Sequence, residues 1–162
     1  MKNSIEKMKT KFPNCCDTKR NKVAQENGKK FEIKCSETYY LKVRIDDCLI
    51  SCKQVNKCDY LFIRDYECLQ GETEFYFVEL KGSDIKKAFE QIKDTISDIK
   101  SNHISSLSKN KILGFIVSSK VPKAGVDVTR MKQEFRNKYG ELLKIQNNHM
   151  FIFLPKFVVI KF

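Results

Sequence analysis

The feature that most constrains the fold is a strand that ends at a glycine and leads directly into a helix. Residues 75–81 (FYFVELK) are mostly apolar and β-prone, as expected of a strand in a protein core. Gly82 interrupts this strand, and Ser83 is a suitable N-cap for a helix over about residues 84–100. The apolar residues of that segment fall on one continuous helical stripe, namely Ile85, Ala88, Phe89, Ile92, Ile96 and Ile99.

Further strands are predicted before this transition. Residues 31–34 and 39–45 alternate apolar and polar side chains, as half-buried strands do. Residues 58–63 (CDYLFI) form a short apolar strand with Asp59 at its entrance. Residues 64–74 are long enough for a hairpin loop, so we expect the strands on either side of it to pair antiparallel.

The second half of the chain continues the alternation of helix and strand. Residues 111–119 predict a buried strand, and residues 129–139 predict a helix that ends at Gly140. Three further short strands or extended segments follow, at residues 141–146, 149–155 and 157–162. This order predicts an α/β fold, with a central mixed β-sheet flanked by helices.

The length of 162 residues favours a single domain. Residues 1–28 are polar and lysine-rich and are expected to form an N-terminal helical or extended arm, and residues 29–162 form the core. No apolar run approaches the roughly 18 residues that span a bilayer, and the N-terminus lacks the apolar region of a secretory signal. The protein is therefore expected to be cytoplasmic, with no membrane partner.

The formal net charge of +11 favours a polyanionic partner, of which nucleic acid is the commonest. Lysine supplies most of this charge and is spread along the whole chain rather than gathered in one block. The same excess also serves solubility, so the charge needs support from a site.

Seven cysteines lie in the first half of the chain, at positions 15, 16, 35, 48, 52, 58 and 68. In a reducing compartment we expect free thiols that pack as small apolar groups. The alternative is a metal or iron–sulfur site built from Cys48, Cys52, Cys58 and Cys68. No CxxC pair and no histidine at zinc-finger spacing accompanies them, which argues against that site.

Charged side chains meet where the strand over residues 75–81 ends. Because side chains alternate along a strand, Glu79 and Lys81 share one face. If the two predicted strands pair antiparallel, Asp59 lies beside them. Two converging carboxylates repel each other, and a divalent cation compensates this repulsion. The carbonyl of Leu80 would add a third oxygen ligand for Mg²⁺ or Mn²⁺, next to Asp59 and Glu79. The alternative interpretation is a charged pair at a solvated strand end.

The pattern of Asp59 followed by Glu79-Leu80-Lys81, with the last three residues on a strand before a helix, resembles the PD-(D/E)XK nuclease superfamily. The resemblance extends over about residues 30–120 in layout and over three or four positions in identity. It implies a restriction-endonuclease-like fold in which Asp59 and Glu79 bind the metal. Lys81 would orient or activate the water that attacks the phosphorus.

The resemblance also implies roles for residues outside this motif. Gln91 would be a further catalytic residue, because exonuclease-like branches often carry a glutamine on the corresponding helix. Those branches place tyrosine four residues later, where this chain has Thr95, and Cys58 stands where the motif's name has proline. Members often add a glutamate from an N-terminal helix, for which Glu26 and Glu32 are both candidates.

Together these features predict a metal-dependent nuclease that hydrolyses phosphodiester bonds through a metal-activated water. DNA is favoured over RNA as the substrate, and a homodimer would let so small a chain reach both strands of a duplex. The alternative is a catalytically inactive module on the same fold that binds nucleic acid or protein.

Overall fold

The computed structural model describes residues 2–19, 22–34, 40–64, 73–121 and 125–153. Its helices are α1 (Lys2–Lys11), α2 (Ile85–Asn102) and α3 (Val126–Lys138), with short 3-10 turns at Pro13–Cys15 and Lys109–Lys111. Its strands are β1 (Cys16–Asp17), β2 (Val23–Glu26), β3 (Lys29–Lys34), β4 (Tyr40–Arg44), β5 (Tyr60–Arg64), β6 (Glu74–Lys81), β7 (Ile112–Ser118), β8 (Leu142–Asn147) and β9 (His149–Phe153). The predicted segment 157–162 lies outside the described residues.

The main sheet is mixed and has the order β1-β4-β5-β6-β7-β8. Strands β4, β5 and β6 are antiparallel neighbours, whereas β7 runs parallel to both β6 and β8. The predicted antiparallel pairing of β5 with β6 is confirmed, with Tyr60 opposite Val78. Most of the loop predicted between these strands, residues 65–72, lies outside the described residues. The α/β class with a mixed sheet is therefore confirmed.

The two faces of this sheet are covered differently. Apolar side chains of α1, α2 and α3 pack against one face, where Phe75 and Phe77 of β6 are fully buried. A second sheet of order β2-β3-β9 covers the other face and contacts Tyr76 and Val78. Because both faces of β6 are buried, the strand reads as a nearly continuous apolar run.

Helix α2 begins where the sequence predicts, but with a different cap. The side chain of Asp84 accepts a hydrogen bond from the Lys87 amide at 2.9 Å, so Asp84 is the N-cap and the expectation of Ser83 is wrong by one residue. The helix runs for 18 residues to Asn102. Neither it nor any other helix in the described residues is long and apolar enough to cross a membrane.

The N-terminal residues enter both sheets. Strand β1 pairs with β4, and β2 pairs with β3 across a two-residue turn. Both turn residues, Asn27 (φ 47°) and Gly28 (φ 76°), have left-handed backbone angles, which suits the tight hairpin turn of twisted strands. Gly28 therefore marks a turn between paired strands.

The expectation of free thiols is wrong for two of the cysteines. Cys15 and Cys48 form a disulfide with their Cα atoms 5.6 Å apart. The pairing of Cys16 with Val43 brings the end of the N-terminal segment beside β4, and Cys48 follows shortly after β4. Cys16, Cys52 and Cys58 are free thiols, as expected. Because the Cys48 sulfur is bonded to Cys15, it cannot serve as a thiolate ligand of the alternative metal site.

Gly140 tests the close packing between α3 and the sheet. A Cβ atom at this position would lie 2.6 Å from the Ile112 carbonyl oxygen and 2.5 Å from a ring carbon of Phe135. We expect Gly140→Ala to lower the free energy of unfolding by about 1–3 kcal/mol, measured by urea denaturation. Gly82→Ala is the matched control, because nothing lies within 4 Å of its added Cβ. Equal stability of the two variants would contradict the packing described.

Candidate active site

Asp59 and Glu79 lie opposite each other where β5 begins and β6 approaches its end. The register that pairs Tyr60 with Val78 places the preceding residue of one strand across from the following residue of the other. Opposite residues of an antiparallel pair project from the same face. The Asp59 carbonyl accepts a hydrogen bond from the Ile45 amide at 2.9 Å, and its Oδ2 accepts one from the Leu80 amide at 2.8 Å. Asp59 is thus fixed to both neighbouring strands.

Glu79 is a buried carboxylic acid. Its side chain is 2% exposed, and within the described residues its Oε2 atom has no hydrogen-bond partner. Burial is the main cause that raises the pKa of Glu79, to about 9, and the nearby charge of Asp59 adds to it. Lys81 and the Asp59 backbone act in the opposite direction but do not cancel this rise. Glu79 therefore holds a proton at neutral pH when no cation is near.

Asp59 is shifted less than Glu79. Burial raises its pKa to about 6, while the hydrogen bond from the Leu80 amide favours the ionised form. Glu26 and Asp46 add smaller repulsive contributions. The two carboxyl groups are therefore unequal, with Asp59 the one that ionises first.

Lys81 follows Glu79 by two residues on β6, so its side chain projects from the same face of the sheet. It is half-exposed, and its charge lowers the pKa of both Asp59 and Glu79. The carbonyl that follows it, that of Gly82, accepts hydrogen bonds from the Ser118 and Ser119 hydroxyls at 2.6 Å each and from the Ser119 amide at 2.7 Å. These bonds to the end of β7 fix the backbone that carries Lys81.

Gln91 contacts the residues that precede β5. Within the described residues, its side chain makes no hydrogen bond with the carboxylate of Asp59 or Glu79. Its Nε2 donates to the Lys57 carbonyl at 2.9 Å, and its Oε1 is buried without a hydrogen-bond partner in the described part of the chain. One helical turn later, the hydroxyl of Thr95 accepts from the Cys58 amide at 2.8 Å and donates to the Gln91 carbonyl at 2.7 Å. Helix α2 thus binds both polar groups of the single peptide that joins Lys57 to Cys58, just before Asp59. A catalytic role for Gln91 stays a prediction.

The structure distinguishes the two N-terminal glutamates. Glu32 forms ion pairs with Lys30 at 3.0 Å and Lys34 at 3.2 Å. Glu26, at the end of β2, is exposed and close enough to raise the pKa of Asp59. Of the two, Glu26 is the one within electrostatic reach of the site, and it lies on a strand rather than on a helix.

Asp46 is a site neighbour that the motif did not predict. It raises the pKa of both carboxyl groups, and its Oδ1 lies 3.6 Å from the ammonium of Lys57. Arg44 pairs with Tyr60 at the end of β4, so the residues that follow β4 come beside Asp59. Knowing that β4 pairs with β5 would have revealed Asp46, but the motif spacing alone does not.

The site contains the donor atoms of a partial cation site. Within the described residues, no group of three or more His, Cys, Asp and Glu side chains is close enough to hold a metal ion by itself. Asp59 and Glu79 nevertheless supply two carboxylates, and the buried Glu79 Oε2 is an acceptor that a cation would satisfy. Mg²⁺ binds through one or two carboxylates and retains several waters, which suits such a set. The Leu80 carbonyl as a third ligand stays a prediction.

Comparisons with protein-family models, with curated protein sequences and with solved structures each found no match to this chain. Any functional assignment therefore depends on the residues of the site and their placement.

Replacing Glu79 tests the buried acid. The pKa of Glu79 in the folded protein exceeds the unfolded value of 4.5, so the folded protein retains a proton that the unfolded chain releases. The free energy of unfolding therefore falls as the pH rises from about 4.5 to about 9. We expect Glu79→Gln, measured with chelator present, to be more stable than wild type by about 2–4 kcal/mol at pH 8 and to lose most of this pH dependence. Glu141→Gln, at an exposed glutamate, serves as the control. A Glu79→Gln variant that keeps the wild-type pH profile would show that Glu79 is not the group responsible.

Replacing Thr95 tests the bond between α2 and the entrance of β5. Thr95→Val leaves the buried Cys58 amide without its acceptor and should cost about 1–3 kcal/mol in urea denaturation. Thr95→Ser keeps the hydroxyl and should cost about 1 kcal/mol or less. If the valine variant were as stable as the serine variant, the hydroxyl would not hold this strand.

Proposed function

We propose that the chain is a divalent-metal-dependent nuclease of the PD-(D/E)XK type on a restriction-endonuclease-like fold. The observation that carries this proposal is the buried Glu79 carboxyl group opposite Asp59, with Lys81 on the same face; the Glu79 Oε2 atom has no hydrogen-bond partner among the described residues. A structural role accounts poorly for this arrangement, because a buried acid beside a second, half-buried acid destabilises a fold unless a cation matches their charge.

Each residue of the motif has a role that its surroundings support. Asp59, held by the Leu80 amide, and Glu79, whose Oε2 lacks a hydrogen-bond partner in the described part of the chain, would bind the cation. When bound, Mg²⁺ or Mn²⁺ would acidify a coordinated water and offset the charge on the phosphate. The half-exposed ammonium of Lys81 would donate hydrogen bonds that hold the attacking water in line with the phosphorus. Gln91 would act by positioning the peptide before Asp59.

The substrate class follows from charge. A net charge of +11 attracts a polyanion and steers its approach to an acidic site that would otherwise repel phosphate. DNA is the substrate we favour over RNA. We expect binding to weaken steeply as salt is raised, because the phosphate contacts release counterions.

Metal binding and cleavage can be tested separately at this site. We expect calorimetric titration with Mn²⁺ to show binding by the wild type that is lost in Asp59→Asn and Glu79→Gln. Lys81→Ala should still bind Mn²⁺, because the ammonium is not a ligand, but should lose cleavage of a mixed oligonucleotide pool by at least about 100-fold.

Lys100→Ala is the matched control for lysine removal, because Lys100 is exposed in the last turn of α2, far from the site. Cleavage retained by a folded Lys81→Ala variant would refute the mechanism. Salt-sensitive binding of the oligonucleotide that survives chelator and Asp59→Asn, without cleavage by any form, would instead establish a binding module.

A further inference from the structure

Residues 45–59, between β4 and β5, form a segment that is built into the candidate active site. Four observations connect it there. The Ile45 amide binds the Asp59 carbonyl, Asp46 is an electrostatic neighbour of both carboxyl groups, the Lys57 carbonyl binds Gln91, and the Cys58 amide binds Thr95. A change in the conformation of this segment would therefore move the residues that position Asp59.

The same segment is covalently tied to the N-terminal helix. Cys48 lies within it, and its disulfide partner Cys15 follows α1. Helix α1 is itself anchored, because Ile5 and Met8 are buried in the core on the helical face of the sheet. The bridge is thus a tether between a fixed helix and the segment that carries Asp46.

The turn that contains Cys48 has a buried end and an accessible bend. Leu49 and Ile50 are buried, and the Ile50 amide donates to the Ile45 carbonyl at 3.1 Å, whereas Asp46 and Cys48 are half-exposed and Asp47 is exposed. The Cys48 and Leu49 amides reach their acceptors only at 3.3 Å, near the long limit of a hydrogen bond. Asp47 has a left-handed backbone angle (φ 53°), a conformation that aspartate tolerates better than most residues other than glycine. The accessible bend at residues 46–48 is therefore the part of the turn whose position depends most on the disulfide.

We propose that the Cys15–Cys48 disulfide is a redox control site, whose reduction by a dithiol loosens the bend at residues 46–48, which carries Asp46, and weakens cation binding at Asp59 and Glu79. The inference rests on the proposed function. In reducing compartments, disulfides that do persist are typically catalytic or redox-sensing rather than structural, which agrees with such a role.

The chemistry is an ordinary thiol–disulfide exchange. Cys48 is half-exposed whereas Cys15 is 8% exposed, so a thiolate of the dithiol attacks the Cys48 sulfur. The Cys15 sulfur leaves as a thiolate and takes up a proton. The second thiol of the reductant then attacks the mixed disulfide and releases Cys48 as a thiol. Two electrons and two protons pass to the protein, and the dithiol becomes a cyclic disulfide.

The neighbouring free cysteines do not replace this bridge. Burial raises the pKa of Cys16 to about 11, so it remains a thiol and a poor nucleophile at neutral pH. Cys52 lies in the same segment as Cys48 but is exposed and free. Cys52→Ser is therefore the matched control for Cys48→Ser.

The experiment compares oxidised protein, protein reduced with dithiothreitol and protein reoxidised after reduction, with a peptide map to verify the Cys15–Cys48 link. Hydrogen exchange at the amides of Ile45, Ile50 and Cys58 reports on the segment without any metal. Calorimetry with Mn²⁺ alone reports on the site. We expect reduction to speed exchange at these amides and to raise the Mn²⁺ dissociation constant roughly 10-fold, reversibly.

Oxidised Cys48→Ser and Cys15→Ser should behave like reduced wild type, and Cys52→Ser should respond like wild type. If one serine variant fails to fold, the Mn²⁺ affinity of the wild type before reduction, after reduction and after reoxidation still tests the proposal. Equal Mn²⁺ affinity in the oxidised and reduced protein, or a peptide map without the link, would overturn the redox control and leave the proposed function standing. Absence of Mn²⁺ binding in both states, with oligonucleotide added, would overturn the proposed function and this inference together.

Discussion

The main physical constraint on this structure is a pair of carboxyl groups that lie opposite each other, just before β5 and near the end of β6. Burial and mutual repulsion oppose their ionisation, so the pair lowers the stability of the fold unless a proton or a cation is present. The surroundings hold the pair in place in spite of this. Strands β5 and β6 are covered on both faces by apolar side chains, and amides from two neighbouring strands bind Asp59. Apolar packing on both faces of the sheet offsets the destabilising effect of the two carboxyl groups.

The parts of the fold that the sequence predicted are those set by local pattern and full burial. Strand β6 and helix α2 have strong apolar signals because β6 is buried on both faces and α2 along one stripe. The placement of Asp59 beside Glu79 also followed, because it required only that two adjacent strands pair as a hairpin. The N-cap was missed by one residue, since Ser83 and Asp84 are both good caps and only the backbone geometry chooses between them.

The parts that could not be predicted depend on contacts between distant segments. The Cys15–Cys48 bridge spans a separation of 33 residues and follows from the pairing of β1 with β4. The position of Asp46 likewise follows from the pairing of β4 with β5. Thr95, which looked like a departure from a family pattern, is a buried hydroxyl that satisfies the Cys58 amide. None of these pairings leaves a periodic signal, so spacing in the chain does not reveal them.

The charges around the pair argue that it serves function rather than stability. Lys81 lowers the pKa of both groups, yet the pKa of Glu79 stays near 9, so the charge of Lys81 does not offset the burial of Glu79 and the repulsion from Asp59. Asp46 and Glu26 add negative charge where a stabilising design would add positive charge. Lys57, which lies two residues before Asp59, forms its ion pair with Asp46 and donates a hydrogen bond to the Cys52 carbonyl. We expect an amide side chain at position 79 to give a more stable protein, and an acid kept at such a cost agrees with the proposed role of Glu79 as a cation ligand.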